Sequence, residues 1–209
     1  MPKIVDHEQR RRELAEALWR VIAGSGPTAV SIRSVAAEAG WSPGALRHYF
    51  QTREELLVFA MNLSEDRVTA RITSLPAAQP ADMPLTDRVA QYAEQLLPLD
   101  ETRRAEYRAW ESAGILGEYD KDRAQRWNLQ RRLYRQLVAS LVGAAVGDPF
   151  EPHADPWVEE WSGYLHTHVD GLALELMVTP GMLDADDARH RLRSFLVRIG
   201  EAWRYRANP

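Results

Sequence analysis

Hydrophobic residues recur three or four positions apart along almost the whole chain. Near the N-terminus this spacing places four of them on one face of a helix: Leu14, Leu18, Val21 and Ile22. The same period continues through helices predicted at about 52–75, 86–97, 101–116, 121–146, 157–178 and 184–205. No segment shows a credible strand pattern, so the sequence predicts an all-α fold.

Prolines and capping residues mark where these helices begin and end. Three prolines fall within residues 76–84 (PAAQPADMP), which predicts a linker there. A second loop is predicted at residues 147–155, followed by a helix that Asp155 caps. Thr52 and Glu55 have the spacing of a capping box, which predicts the start of another helix.

One short stretch, AGWSPGALRHYF at residues 39–50, breaks the helical pattern abruptly. Gly40 adopts the left-handed backbone conformation at little cost, so it ends one helix. Ser42 caps the next helix, and Pro43 fits its first turn, where no amide hydrogen is needed. Two short helices joined by so tight a turn indicate a helix-turn-helix, which presents the second helix, residues 43–49, as a projecting element.

The projecting helix carries residue types that can read DNA. Leu46 and Phe50 are spaced to point inward, which leaves Arg47 and His48 facing elsewhere. An exposed arginine in the major groove can pair with both acceptors of a guanine, and such a pair discriminates between bases by about 1–3 kcal/mol. Gly44 has no side chain and would let a phosphate or base approach the backbone. The alternative is that Arg47 and His48 are ordinary solvated residues.

The distribution of charge is compatible with a nucleic-acid partner, although the net charge is −4. Residues 1–53 carry eight Lys or Arg and five Asp or Glu, whereas residues 54–209 carry eighteen and twenty-five. The N-terminal part, which we call the head, is therefore mildly basic, and the rest of the chain is acidic. Chance clustering is the alternative explanation for this difference in charge. Because there is no cysteine, no membrane-length apolar run and no apolar signal-peptide core, we expect a cytoplasmic protein.

Residues 10–56 resemble the DNA-binding domain of TetR-family regulators, which commonly read T-x-R-x-V-A-x-x-A-G-V-S-x-G-x-L-Y-x-H/Y-F-x-x-K-x-x-L. The positions that match or substitute conservatively are Ser31, Arg33, Val35, Ala36, Ala39, Gly40, Ser42, Gly44, Leu46, Tyr49, Phe50 and Leu56. Three residues depart from the pattern. Trp41 replaces a small aliphatic residue, Arg47 replaces a tyrosine that often contacts phosphate, and Arg53 replaces a lysine that does the same. We therefore expect DNA binding with an altered sequence preference.

The resemblance implies which residues contact DNA. Contacts are expected along the projecting helix, at Ser42, Pro43, Gly44, Ala45, Arg47, His48 and Tyr49. Phosphate contacts are expected at the edges of the domain, from Arg10, Arg11, Arg12, Ser31, Arg33, Thr52 and Arg53. Because one short helix contacts few bases, two of them should act together on a palindromic operator.

The rest of the chain resembles, more weakly, the ligand domain of choline-responsive repressors of betaine synthesis. The resemblance lies in residues 97–110 and 170–174, and the subclass covers many ligands, so it implies an architecture rather than an effector. A set rich in aromatic residues predicts a pocket for an apolar or cationic small molecule. Its members are Trp110, Glu111, Trp127, Gln130, Arg131 and Tyr134. Packing is the alternative role for the aromatic residues.

Other patterns bear on assembly and on chemistry. Gly163 and Gly171 lie inside a predicted helix, where each costs about 1 kcal/mol relative to alanine, so we expect close helix packing there in a four-helix dimer interface. His166 and Asp170 are spaced as a metal-binding pair but lack a third ligand, so we expect no metal and no cofactor. No nucleophile, phosphate-loop or dinucleotide motif supports an enzyme.

These patterns predict an all-α transcriptional regulator with two domains. Residues 1–52 would form a three-helix helix-turn-helix DNA-binding domain. Residues 53–209 would form a helical ligand-binding and dimerisation domain, joined to the first by a helix at about 52–75. We expect a homodimeric repressor that an unknown small molecule releases from double-stranded DNA. The rival interpretation is a helical small-molecule-binding or interaction protein that does not bind DNA.

Overall fold

The computed structural model describes residues 7–115, 123–148, 150–179 and 181–207, and these residues contain no strand. Their α-helices are α1 His7–Ser25, α2 Ile32–Ala39, α3 Pro43–Arg47, α4 Arg53–Ala78, α5 Leu85–Glu94, α6 Glu101–Ile115, α7 Arg123–Val142, α8 Pro156–Val178 and α9 Ala185–Ala207. A 3-10 turn, Pro27–Ala29, precedes α2. The predicted all-α class is confirmed. No helix in the described ranges is both long enough and apolar enough to cross a membrane.

Several helix ends differ from those predicted. The α4 helix continues to Ala78, so Pro76 lies in its last turn and not in the linker. Because proline has no amide hydrogen, Pro76 removes one helix hydrogen bond, and only two helical residues follow it. The α5 helix ends at Glu94 because the next three amides bond to carbonyls three residues earlier. The α7 helix ends at Val142, where Gly143 has a φ of 69° and supplies the left-handed stop. The predicted ends at residues 116 and 121 lie outside the described ranges.

The chain divides into two compact units. The first comprises Met1–Thr69 and Asp100–Lys121, and the second comprises Ala70–Leu99 and Asp122–Pro209. The first unit therefore extends beyond the helix-turn-helix and takes in α6, which packs against α1. The functional boundary at residue 52 stays a prediction.

One apolar core holds the first unit together. The predicted face of α1 is buried in it, and α3 contributes Leu46, which is fully buried. The core cluster comprises Leu14, Ala17, Leu18, Trp19, Val21, Ile22, Val30, Val35, Ala36, Leu46, Phe50, Leu56, Leu57, Ala60, Met61 and Ala109. Since Ala109 lies on α6, this core is built from parts of the sequence that are far apart.

Three helices of the first unit meet at the guanidinium of Arg67 on α4. The Arg67 Cζ lies 3.8 Å from the centroid of the Trp19 ring on α1. The guanidinium also pairs with Glu16, which lies on α1 as well. It also lies 3.4 Å from the carboxylate of Glu106 on α6, a residue that is only 4% exposed. A carboxylate at that depth needs a cation nearby, so Arg67 ties α6 to the core.

In the second unit, two arginines of α7 hold Glu159 of α8. Arg135 Nε donates to Glu159 Oε2 at 2.7 Å, and Arg131 Nη2 donates to the Glu159 carbonyl at 2.9 Å. The His153 amide donates to the same carboxylate at 2.9 Å. The hydrogen bond from Arg135, followed by that amide and both positive charges, lowers the pKa of Glu159 to about 2. The α7–α8 contact is therefore charge-assisted.

Gly163 makes room for one of these arginines. A Cβ placed on Gly163 would lie 2.8 Å from Arg131 Nη1 and 2.9 Å from its Nη2. The close packing predicted at Gly163 thus occurs within the subunit, against the Arg131 side chain of α7. The dimer interface stays a prediction. A Cβ on Gly171 would meet nothing within 4 Å.

Gly163→Ala is expected to lower the free energy of unfolding, although this change inside a helix ordinarily raises it by about 1 kcal/mol. The added methyl group would displace the Arg131 guanidinium from Glu159, and hydrogen bonds to charged groups contribute about 1.5–3 kcal/mol. Urea denaturation measures the difference. The matched control is Gly200→Ala in α9, where a Cβ meets nothing within 4 Å, and it should not destabilise. Equal stabilisation by both changes would contradict this role for Gly163.

Candidate functional site

The turn between α2 and α3 is fixed by local hydrogen bonds. Ser31 caps α2 by accepting from the Ser34 amide at 3.0 Å, and Gly40 ends the helix with a φ of 71°. The Trp41 amide then donates to the Ala36 carbonyl at 2.8 Å. Ser42 caps α3 by accepting from the Ala45 amide at 3.1 Å, and Pro43 is the first residue of that helix. The predicted helix-turn-helix caps are confirmed.

The α3 helix is shorter than predicted and presents a polar face. It ends at Arg47, because the His48 and Tyr49 amides bond to carbonyls three residues earlier. Leu46 and Phe50 are buried, whereas Arg47 and His48 are exposed. The exposed set also includes Ser42, Pro43 and Gly44, while Ala45 and Tyr49 are half-buried. The structure therefore brings the predicted DNA-reading residues together on one accessible surface.

Three of the arginines predicted to bind phosphate have contacts within the protein. Arg11 lies with its Cζ 4.8 Å from the Phe50 ring centroid and 4.5 Å from that of Phe59. Its Nη1 also donates to the Tyr49 carbonyl at 3.4 Å. Arg53 Nε donates to the Val30 carbonyl at 2.9 Å, and Arg10 lies over Trp41. These contacts orient the side chains before any DNA binds.

The remaining edge residues are accessible. Arg12, Ser31, Arg33 and Thr52 are exposed. Thr52 accepts from the Glu55 amide at 3.1 Å, as a capping residue should. The return bond of the predicted capping box goes elsewhere, because Glu55 Oε2 accepts from the Gln51 amide at 2.7 Å instead of from Thr52.

A stack of rings in the second unit contains two of the predicted effector residues. The His166 ring of α8 lies 4.4 Å from the Trp127 ring and 4.5 Å from the Tyr134 ring, both on α7. Tyr134 is buried, whereas Trp127 is 53% exposed. Gln130 is half-buried on the same helix, and Arg131 is held by Glu159. We call Trp127, Tyr134, His166 and Asp170 the aromatic cluster.

Burial controls the titration of the aromatic cluster. Desolvation, with a smaller contribution from the charge of Arg131, lowers the pKa of His166 to about 4. Desolvation raises the pKa of Asp170 to about 6, and raises that of Tyr134 well above its usual range with help from the Asp170 charge. His166 Nε2 lies 3.4 Å from Asp170 Oδ2 and has no hydrogen-bond partner in the described chain. The imidazole is therefore neutral at pH 7.

The other two predicted effector residues belong to the first unit. Trp110 packs against the core of that unit, with its ring 6.3 Å from that of Tyr107, and Glu111 is exposed. The sequence indicated His166 and Asp170 only as a metal pair and missed their contact with the α7 rings. Within the described ranges, no group of three His, Cys, Asp or Glu residues could hold a metal ion.

A groove of about 840 Å³ runs along α8 and α9. Its floor includes Phe195, whose ring stacks on that of His168 at 4.3 Å. The lining residues are Trp161, Tyr164, Thr167, His168, Gly171, Leu172, Glu175, Arg191 and Phe195. Gly171 thus lies on an accessible face of the second unit.

Comparison with known proteins identifies the family. Residues 14–58 match the family described as bacterial regulatory proteins, tetR family, and residues 85–201 match the BetI-type transcriptional repressor C-terminal domain. The chain belongs to the TetR family of transcriptional regulators. This TetR-family chain is 37% identical over 188 residues to the HTH-type transcriptional regulator PksA of Bacillus subtilis. The aligned residues make up 89% of this chain and 87% of PksA.

Other relatives of this TetR-family protein agree. It is 35% identical over 101 residues to the regulator BetI of Rhizobium meliloti, covering 47% of the chain and 50% of BetI. A transcriptional regulator from Rhodococcus sp. Rha1 has a similar structure, with a TM-score of 0.74, 28% identity and coverage of 92% and 96% of the two chains. A protein from Saccharomonospora viridis, solved in complex with choline, has a TM-score of 0.69, and the match covers 91% of this chain and 96% of that protein. At 22% identity, that likeness shows the fold alone.

His166 and Asp170 should make opposite contributions to stability between about pH 4 and 6.5. The folded-state pKa of His166 is depressed, so its contribution is lost as pH falls from 6.5 to about 4. The folded-state pKa of Asp170 is raised, so its contribution is lost as pH rises from 3.8 to about 6. Asp170→Asn should therefore steepen the rise of unfolding free energy with pH across this window.

Urea denaturation at several pH values and one protein concentration measures that slope. The matched control is Glu201→Gln, which removes an exposed carboxylate from α9 and should leave the slope unchanged. If Asp170→Asn leaves the slope of the parent intact, the carboxylate is not desolvated as the structure indicates.

Proposed function

We propose that the chain is a homodimeric repressor that binds a palindromic operator and is released by a small molecule. The observation that supports this most is the exposed α3 face, with Arg47 and His48 outward and Leu46 buried, in a chain of the TetR family. The function needs access to the chromosome, in keeping with a cytoplasmic location, and requires no catalytic step. Selection of bound sequences from random DNA, followed by a search for small molecules that release them, tests it.

Base reading and phosphate binding are assigned to different arginines. Arg47 lies at the exposed end of α3, where a guanidinium can reach a guanine edge in the major groove. Arg33 is exposed on α2, at the edge of the helix-turn-helix, where it would meet the backbone. The first contact carries sequence information and the second does not.

Arg47→Ala should relax the preference at one base pair in each half-site, with a loss of about 1–3 kcal/mol for the preferred base. Arg33→Ala is the matched comparison and should weaken binding to all sequences. It should also lower the slope of log affinity against log salt by about 0.9 for each head, because fewer counterions are released. Selected-site sequencing and salt titration separate the two effects. Unchanged base preference in Arg47→Ala would exclude it as a base reader.

The dimer is assigned to α8 and α9. Exposed residues of α8 recur three or four positions apart and so form a stripe along one face: Tyr164, Thr167, Gly171, Leu174 and Val178. Leu174 and Val178 are 47% and 63% exposed and lie one turn apart in this stripe, and contiguous exposed apolar residues are typical of an interaction surface. A second copy packed on this stripe and on the adjoining groove would hold two α3 helices at a fixed distance. That distance must suit one DNA turn or a small multiple, about 34–36 Å per turn.

Gly171→Leu should give monomers that keep their helicity but lose specific DNA binding. Since Gly171 is exposed and a Cβ at this position meets nothing within 4 Å, we expect the larger side chain to obstruct the partner and to leave the subunit folded. Sedimentation and circular dichroism measure the two properties. Ser140→Leu, which places the same side chain at an exposed position of α7, should remain dimeric. A dimer with full operator affinity in Gly171→Leu would place the interface elsewhere.

The effector site is assigned to the aromatic cluster of the second unit. Trp127 is half-exposed and so is open to a ligand, whereas Tyr134 is buried and supports the stack. The unpaired His166 Nε2 and the desolvated Asp170 carboxyl offer hydrogen-bonding groups, with Gln130 and Arg131 on the same helix. Trp110 and Glu111 stay predictions. A ligand can lower DNA affinity by no more than the difference between its binding free energies for two conformations: the one whose head spacing fits DNA and the one whose spacing does not.

A further inference from the structure

Trp41 is a large aromatic residue in the turn between α2 and α3, where the family pattern has a small aliphatic residue. It is half-buried and packs against the core of the first unit. Its position is fixed by the bond from its own amide to the Ala36 carbonyl, between the left-handed Gly40 and the cap Ser42. Only part of the indole is therefore needed for packing, and the rest is accessible.

The indole contacts two side chains that are predicted from the sequence to bind DNA. Arg10 of α1 lies with its Cζ 4.9 Å from the Trp41 ring centroid, which is cation–π geometry. Tyr49 meets the same indole edge-to-face, with ring centroids 5.6 Å apart and planes at 73°. A single ring thus sets the positions of one residue before α3 in the sequence and one after it.

We propose that Trp41 is a positioning residue for DNA binding, which holds the Arg10 guanidinium and the Tyr49 ring at the edge of the α3 face to meet a backbone phosphate. The proposal rests on the proposed function. A free arginine loses rotamer entropy when it binds phosphate, and stacking on a fixed indole removes part of that loss in advance. A guanidinium has five N–H donors and a contact with one aromatic face leaves most of them available, so a phosphate oxygen can still accept from them.

Arg11 differs from Arg10 in a way that favours this assignment. The Arg11 guanidinium faces two phenylalanine rings and also donates to the Tyr49 carbonyl, so part of its donor set is used within the protein. The contact described for Arg10 is with the face of an aromatic ring, which uses none of its donors. Of these neighbouring arginines, Arg10 is the better placed to add a phosphate contact that depends on Trp41.

The test is a double-mutant cycle in which the measured quantity is the salt dependence of operator affinity. Full-length parent, Arg10→Ala, Trp41→Leu and the double variant are titrated against the selected operator between 0.05 and 0.2 M salt. Trp41→Leu keeps an apolar side chain in the turn but removes the ring. Each single variant should make the negative slope of log affinity against log salt shallower by about 0.9 for each head. The double variant should make it no shallower than either single variant does. For a dimer, the ratio of parent to variant affinity should fall about twelvefold as the salt concentration increases across this range.

Two further variants separate positioning from packing. Trp41→Phe retains an aromatic face and should keep most of the slope of the parent. If Trp41→Leu does not fold, Trp41→Met takes its place in the cycle, because methionine adapts to irregular packing sites. The base preference at the Arg47 position should be unchanged in all of them.

Additive losses of slope in the double variant, or a slope like that of the parent in Trp41→Leu, would overturn the role of Trp41 alone. A parent protein whose operator binding does not depend on salt would overturn both this role and the proposed function.

Discussion

The burial of Leu46 and Phe50 is the constraint on which the exposed surface of α3 depends. The helix has five residues, too few to be stable by itself, so its orientation is set by what it buries. With both side chains in the core of the first unit, Arg47 and His48 face outward. Arg11 covers Phe50 from α1, which joins the apolar anchor to the charged rim of the same surface. The polar face therefore follows from the apolar one.

Local chemistry made part of this structure predictable from sequence. Gly40, Ser42 and Asp155 act within three residues of their own positions, and each caps or ends a helix as expected. The end of α5 has no capping glycine or proline to mark it, and the predicted end at residue 97 was wrong, since the helix ends at Glu94. The end of α4 was predicted too early, because a proline usually ends a helix at the preceding residue, whereas α4 continues through Pro76 to Ala78.

Contacts between distant parts of the chain were not predictable in the same way. The aromatic residues Trp127 and Tyr134 were recognised on α7, yet their partner His166 lies on α8, and no spacing rule connects them. Similarly, Gly163 was recognised as needing close packing, but the guanidinium that fills the space comes from Arg131. Periodicity shows which face of a helix is buried without showing what lies against it. The DNA and effector contacts themselves stay predictions.

The placement of α6 in the first unit limits how the protein can be divided into modules. Ala109 is fully buried in the core of that unit, and Glu106 is held by Arg67 beside Trp19. A fragment that stops at Thr69 would lack both residues, so the Arg67 guanidinium would lose its contact with Glu106 and the core would lose Ala109. The head is thus discontinuous in sequence. Chimeras that exchange heads between relatives would need to carry residues of α6 together with the N-terminal segment, or redesign the surface that α6 covers.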